Sequence, residues 1–146
     1  MIQKTFMFST IEDFRAIVKA TKESSAYHSA RHSFLQLAIF TAQTDFIKTL
    51  QDIVRTSLPD VALLGATNDN ALLHAGQEPL HRGTFCFFDE AEFSIETYNF
   101  LEQDEKTAGL ALRKRISELP YTRGVLGYTS GLERNIALCA IFPMYA

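Results

Sequence analysis

The sequence predicts an α/β domain, with a mixed parallel/antiparallel sheet and about three helices packed on it. Three observations carry this prediction. The run Phe34-Leu35-Gln36-Leu37-Ala38-Ile39-Phe40 is apolar at six of its seven positions, as a central strand covered on both faces requires. Phe46, Ile47, Leu50, Ile53, Val54 and Leu58 then recur at helical spacing, and Val61-Ala62-Leu63-Leu64 supplies a second short buried strand. Strand, helix and strand over residues 34 to 64 read as a right-handed crossover with parallel strands.

The elements follow in order. Phe6, Met7 and Phe8 form a short apolar run. Ser9 with Glu12 and Thr10 with Asp13 both fit a capping box, so a helix is expected to start near residue 10. Ile11, Phe14, Ile17 and Val18 give that helix one packing face. Lys22 to Ser33 is polar and serine-rich, which suits a mobile linker or loop. After the Phe34 strand, Thr44 and Asp45 supply a second cap and Pro59 blocks continuation of the helix.

The next stretch changes character. Ala71 to Leu73 and Gly83 to Phe88 flank a turn-rich segment containing Gly76 and Pro79, which favours neighbouring antiparallel strands over another crossover. Phe93 and Ile95 alternate with Glu92, Ser94 and Glu96, the period of a strand with one wet face. Glu102, Asp104 and Glu105 precede Leu110, Leu112, Ile116 and Leu119, with Arg113, Lys114 and Arg115 near the end, so a third helix is expected before Pro120. Arg123 to Tyr128 and Ile136 to Phe142 read as two further strands separated by Ser130-Gly131.

Composition bounds the function. A chain of 146 residues with 47% hydrophobic residues can bury a core as a single domain, 1–146. A net charge of −3 offers no basic field for phosphate backbones, so nucleic acid is not an expected partner. Cys86 and Cys139 sit in apolar runs, as reduced thiols in a cytoplasmic protein would. Met1-Ile2-Gln3-Lys4-Thr5 lacks the pattern of a leader, and no run approaches the roughly 18 apolar residues that span a bilayer, so no membrane insertion is expected.

The chain carries no Gly-rich phosphate loop, no Cys-x-x-Cys, no His-Glu-x-x-His and no Gly-x-Ser-x-Gly, which argues against an enzyme. A hydrolase using Ser130 or Cys86 would lack an identifiable base. The densest polar cluster is Gly65-Ala66-Thr67-Asn68-Asp69-Asn70, directly after the strand Val61 to Leu64. Ligands collect beyond the carboxyl ends of strands in open α/β sheets, and Thr67, Asn68, Asp69 and Asn70 offer a hydroxyl, two amides and a carboxylate. The alternative is a plain turn. Thr129 and Ser130, after Gly124-Val125-Leu126, could face the same crevice or form a turn of their own.

Histidines are at 28, 32, 74 and 81. His28 and His32 have the spacing of one helical face, but the serines around them favour a surface pair without a ligand. His74 lies between Leu73 and Ala75 and could present a nitrogen to an apolar pocket or to a haem iron, the alternative being a hydrogen-bonded structural histidine. Glu90, Glu92 and Glu96 read as a solvated face and not as an acid/base pair.

Leu50 to Pro59, followed by Asp60-Val61-Ala62-Leu63-Leu64-Gly65-Ala66-Thr67, resembles the helix, proline, strand and small-polar loop of the FIST (F-box and intracellular signal transduction) sensory domain, in its N-terminal part. Gly83-Thr84-Phe85-Cys86-Phe87-Phe88 resembles that family's next strand, and Arg123-Gly124-Val125-Leu126-Gly127-Tyr128-Thr129-Ser130-Gly131 its later strand and turn. Asn68-Asp69-Asn70 departs from the small and acidic continuation usual there. The resemblance, over about residues 34 to 132, implies an intracellular input module. It would bind a small, amino-acid-like ligand and precede a signalling output domain or partner protein. It also implies haem as one alternative, since some members resemble haem-based nitric-oxide sensors; a non-catalytic protein-interaction domain, marked by an exposed apolar sheet edge or patch and no internal pocket, is the other alternative. Family members extend further on both sides, so the chain is expected to be part of such a region or a short member.

Overall fold

A computed structural model describes residues 1–41, 43–67, 80–90, 93, 95 and 104–119. The chain forms two compact units, Met1–Phe93 and Ser94–Ala146. The described residues of the first unit hold strands β1 (Ile2–Phe8), β2 (His32–Ile39), β3 (Val61–Thr67) and β4 (His81–Phe88), with helices α1 (Ile11–Lys22), α2 (Ser25–Ser29) and α3 (Thr44–Ser57). Those of the second hold helix α4 (Glu105–Glu118).

The four strands form one mixed sheet in the order β1-β4-β2-β3. β2 and β3 run parallel, with Ser33 opposite Val61 and Ile39 opposite Thr67, so residues 34 to 64 form the strand-helix-strand unit expected from their pattern. β4 runs antiparallel to both β1 and β2 and lies between them. The α/β class with a mixed sheet is therefore the observed one.

Alternation explains which face became the core. Ser33, Leu35, Leu37 and Ile39 of β2 are buried, while Phe34, Gln36 and Ala38 are half-buried. Phe85 and Phe87 of β4 share the buried face with Leu35 and Ser33, their register partners. Phe14 and Val18 of α1 and Leu50, Ile53, Val54 and the following Leu58 of α3 join them in one cluster. The spacings 14/18 and 50/53/54 put each set on one side of its helix, and α1 and α3 pack against each other. Burial of such side chains contributes about 1.5–3 kcal/mol each.

Local chemistry sets the helix ends. Thr10 caps α1, its hydroxyl accepting from the Asp13 N–H at 3.1 Å, while the Asp13 carboxylate accepts from the Thr10 N–H at 3.2 Å. Of the two spacings that fit a box, the second forms it. α3 departs from expectation. Gln43 is its cap and makes no side-chain cap bond, and Thr44 is already helical.

The segment Lys22 to Ser33, read as a loop, instead contains α2 and the start of β2. Ser24 accepts from the Tyr27 N–H at 3.3 Å and so starts a helix where serine had suggested a break. Ala26 is buried beneath that turn and Tyr27 packs on the core cluster. β1 is longer than its apolar run because Ile2 to Thr5, an exposed edge segment, pairs with Thr84 to Phe87. Gly83 serves this pairing: a Cβ there would fall within the ring of Phe6, its register partner. Phe93 and Ile95, expected in a strand, lie outside one and are exposed. The Phe93 ring meets Phe34 edge-on at 5.4 Å, an apolar contact that strand alternation does not anticipate.

Candidate functional site

The parallel pair ends side by side at Ile39 and Thr67. At the same end of the sheet, β1 finishes at Phe8, opposite the first residue of β4, His81. One step beyond the Ala38–Arg82 pair, Ile39 lies next to His81. A single row thus crosses the sheet as Phe8, His81, Ile39 and Thr67, of which the first three are buried. Two strand spacings, about 10 Å, separate His81 from Thr67.

Thr67 is exposed at the last position of β3. The polar segment expected to leave the sheet at Gly65 instead continues the strand, because Gly65, Ala66 and Thr67 still pair with Leu37, Ala38 and Ile39. Asn68, Asp69, Asn70, His74, Thr129 and Ser130 lie outside the described residues. Thr67 is therefore the one proposed ligand residue that the described structure reaches.

His81 is the residue that reading for motifs passed over. It is 2% exposed, with its ring 5.1 Å from that of Phe8 and 4.9 Å from that of Phe46 in the first turn of α3. Its Nδ1 accepts a hydrogen bond from the Phe40 N–H at 3.0 Å. An accepting Nδ1 carries no proton, so the neutral ring holds its proton on Nε2. Burial pushes the His81 pKa below the ordinary histidine range, which favours that neutral form. The sequence contained a signal. His81, Gly83, Phe85 and Phe87 are two apart, so a strand that buries the phenylalanines also buries the histidine.

The other titratable candidates resolve differently. His28 lies in α2 and His32 opens β2, so they do not share a helical face, and both are exposed. Among the described residues, no three His, Cys, Asp or Glu side chains are grouped so as to hold a metal. Cys86 is buried, and that burial pushes its thiol pKa up, so little thiolate is present to act as a nucleophile. Among the described residues, no helix is long and apolar enough to cross a membrane.

Compared with known proteins, the chain matches no family model and no curated protein. Its own residues therefore carry the functional argument.

Proposed function

We propose that the chain is a non-catalytic input module for signal transduction of the FIST type. It binds a small, amino-acid-like ligand at the carboxyl end of β2 and β3, works in the cytoplasm, and passes its occupancy to an output domain or partner protein. The observation that supports this reading is the side-by-side ending of the parallel strands at Ile39 and Thr67, followed in sequence by Asn68-Asp69-Asn70. In open α/β sheets ligands collect beyond the carboxyl ends of the strands. Thr67 and the Asn68-Asp69-Asn70 that follow it in sequence offer a hydroxyl, amides and a carboxylate, groups that match the ammonium and carboxylate of an amino acid.

Ligand binding to the folded state alone must raise its stability, by about 2.7 kcal/mol at a hundredfold excess over Kd. The test is a thermal-shift panel of the natural amino acids and related small metabolites, run on the wild-type chain and on Thr67→Ala and Asn68→Ala. A selective rise in Tm that both variants weaken is expected. No shift across the panel would sink the reading, and a Soret band on adding haem would move it to gas sensing.

A further inference from the structure

We propose that the outward face of α4, where Lys106, Leu110, Arg113 and Lys114 form one stripe, is a docking surface for an acidic protein segment that sets apolar side chains between its carboxylates. The inference concerns the second unit alone and does not depend on the ligand reading above.

The helix has two distinct sides. Ala108 and Gly109 are buried and Leu112 and Ile116 half-buried, so these positions form its inward face. Lys106, Leu110, Arg113, Lys114 and Ser117 recur at helical spacing on the opposite face, and all five are exposed. Leu110, 51% exposed, sits in the middle, with Lys106 one turn before it and Arg113 and Lys114 one turn after. Ser117 adds little polarity of its own, since its hydroxyl donates to the Lys114 carbonyl at 2.7 Å. At the start of the helix the Asp104 carboxylate is taken up by the Thr107 N–H and hydroxyl. Glu118 approaches Lys114 only at 4.0 Å, and the Lys114 side chain stays 80% exposed.

A charged helix face is ordinarily a solvated one, and the solvated faces of this chain mix their signs. α1 exposes Glu12 and Lys19, with Glu23 at its end, and α3 exposes Asp45, Lys48, Asp52 and Arg55 in alternation. The α4 stripe carries cations only, in a chain whose net charge is −3. Gathering like charges around an exposed leucine stabilises no isolated helix. An oppositely charged partner with an apolar centre satisfies both features at once.

The arrangement selects the chemistry of that partner. An apolar centre inside a polar rim is the anatomy of a protein interface. The rim cations attract carboxylates and steer their approach, and Leu110 takes the apolar side chains between them. Lys106 and Lys114 stand about 12 Å apart along the helix, so the matching segment spaces its carboxylates by a similar length. An anionic membrane is a poorer match, because one leucine is no apolar face and lipid-binding basic clusters use about four to eight cations. Nucleic acid is poorer still: three cations displace few counterions, and the net negative charge of the chain repels phosphate.

The experiment selects a display library of random peptides on the immobilised whole chain and measures the enriched peptides in solution at about 0.15 M salt. Peptides with Asp or Glu on both sides of apolar residues should be enriched. They should bind Lys106→Glu/Arg113→Glu about tenfold more weakly and Leu110→Ala about threefold more weakly, each at an unchanged urea midpoint because the positions are exposed. Lys106→Gln/Arg113→Gln, which removes the charges without reversing them, should fall between wild type and the reversal. Arg15→Glu/Lys19→Glu on α1 makes the same change in net charge at exposed positions and should leave binding as it was. Enriched peptides without acidic residues, or no enrichment over the Lys106→Glu/Arg113→Glu chain, overturn the proposal. So does an equal loss in the α1 variant, which would mark a long-range field, or full binding by Leu110→Ala. Tighter binding of phosphatidylserine vesicles or duplex DNA through the same residues overturns it as well, by giving the surface to a different class of partner.

Discussion

α3 in the first unit and α4 in the second are both 14 residues long, yet they draw on different sequence devices. α3 begins at Gln43 without a side-chain cap, and buries Leu50, Ile53 and Val54 along one stripe. α4 begins at Asp104, whose carboxylate accepts from the Thr107 N–H at 3.0 Å and from its hydroxyl at 2.7 Å. Its Leu110 is 51% exposed, and Glu118 approaches Lys114 and Arg115 only at 4.0 Å, on the surface. Such exposed ion pairs contribute little. Packing holds the first helix in place, and local chemistry starts the second. A helix with a buried stripe can omit its cap, because burial of several apolar side chains exceeds the roughly 1 kcal/mol a cap contributes.

The largest test of that contrast removes the stripe. Leu50 is 1% exposed, so Leu50→Ala should leave a cavity and cost about 2–5 kcal/mol. The measurement is the urea midpoint of the chain at unchanged slope. Leu110→Ala in α4 should move that midpoint by no more than about 0.5 kcal/mol, as exposed substitutions do. Equal costs at the two positions would erase the difference between the helices.

A second comparison lies within the sheet, between the edge strand β1 and the central strand β2. β2 needs no special residue because apolar alternation places its side chains. β1 is mostly exposed and depends on Phe6 lying over Gly83. Gly83→Ala should therefore push the Phe6 ring aside and cost about 1–3 kcal/mol. Adding Phe6→Ala makes room for the new methyl group. In the double variant, the Gly83→Ala cost should shrink by at least half, which a double-mutant cycle reads directly. Strict additivity would show that the glycine has another reason to be there.

These contrasts also explain what the sequence made legible. β2, α3 and β3 were readable because buried elements write their period into the chain: apolar runs for the strands, and 50, 53 and 54 for the helix. Thr10 and Asp13 were readable as a cap because that interaction is local. β1 was legible only at Phe6 to Phe8, since an exposed edge strand takes its identity from its partner β4 and not from its own pattern. Ser24 misled because serine both breaks helices and starts them, and the burial of Ala26 three-dimensionally decides between the two. At the candidate site, Thr67 was legible from its place after an apolar run. His81 was overlooked because no motif marks it. Its partner Phe40 is 41 residues away, and the bond comes from a backbone N–H that carries no side-chain signature.

The smallest expected effect concerns the caps. The Thr107 hydroxyl, followed by the Thr107 N–H, holds the Asp104 carboxyl below its ordinary range. A carboxyl whose folded pKa is lowered binds its proton more readily in the unfolded chain, so its contribution is complete above the ordinary aspartate pKa. That contribution fades as pH falls through the lowered folded value. Acidification should therefore speed amide exchange at Thr107, after correction for intrinsic rates. The first turn of α3, capped by Gln43, has no titrating group at that position, and exchange at Ile47, whose N–H donates to the Gln43 carbonyl at 3.2 Å, should follow no matching step. In Asp104→Asn the amide oxygen still accepts but no longer titrates, so the Thr107 step should disappear while α4 remains. A step of the same size at Ile47 would mean that both helix starts respond to a shared unfolding event, and the division between a packed helix and a capped one would fall with it.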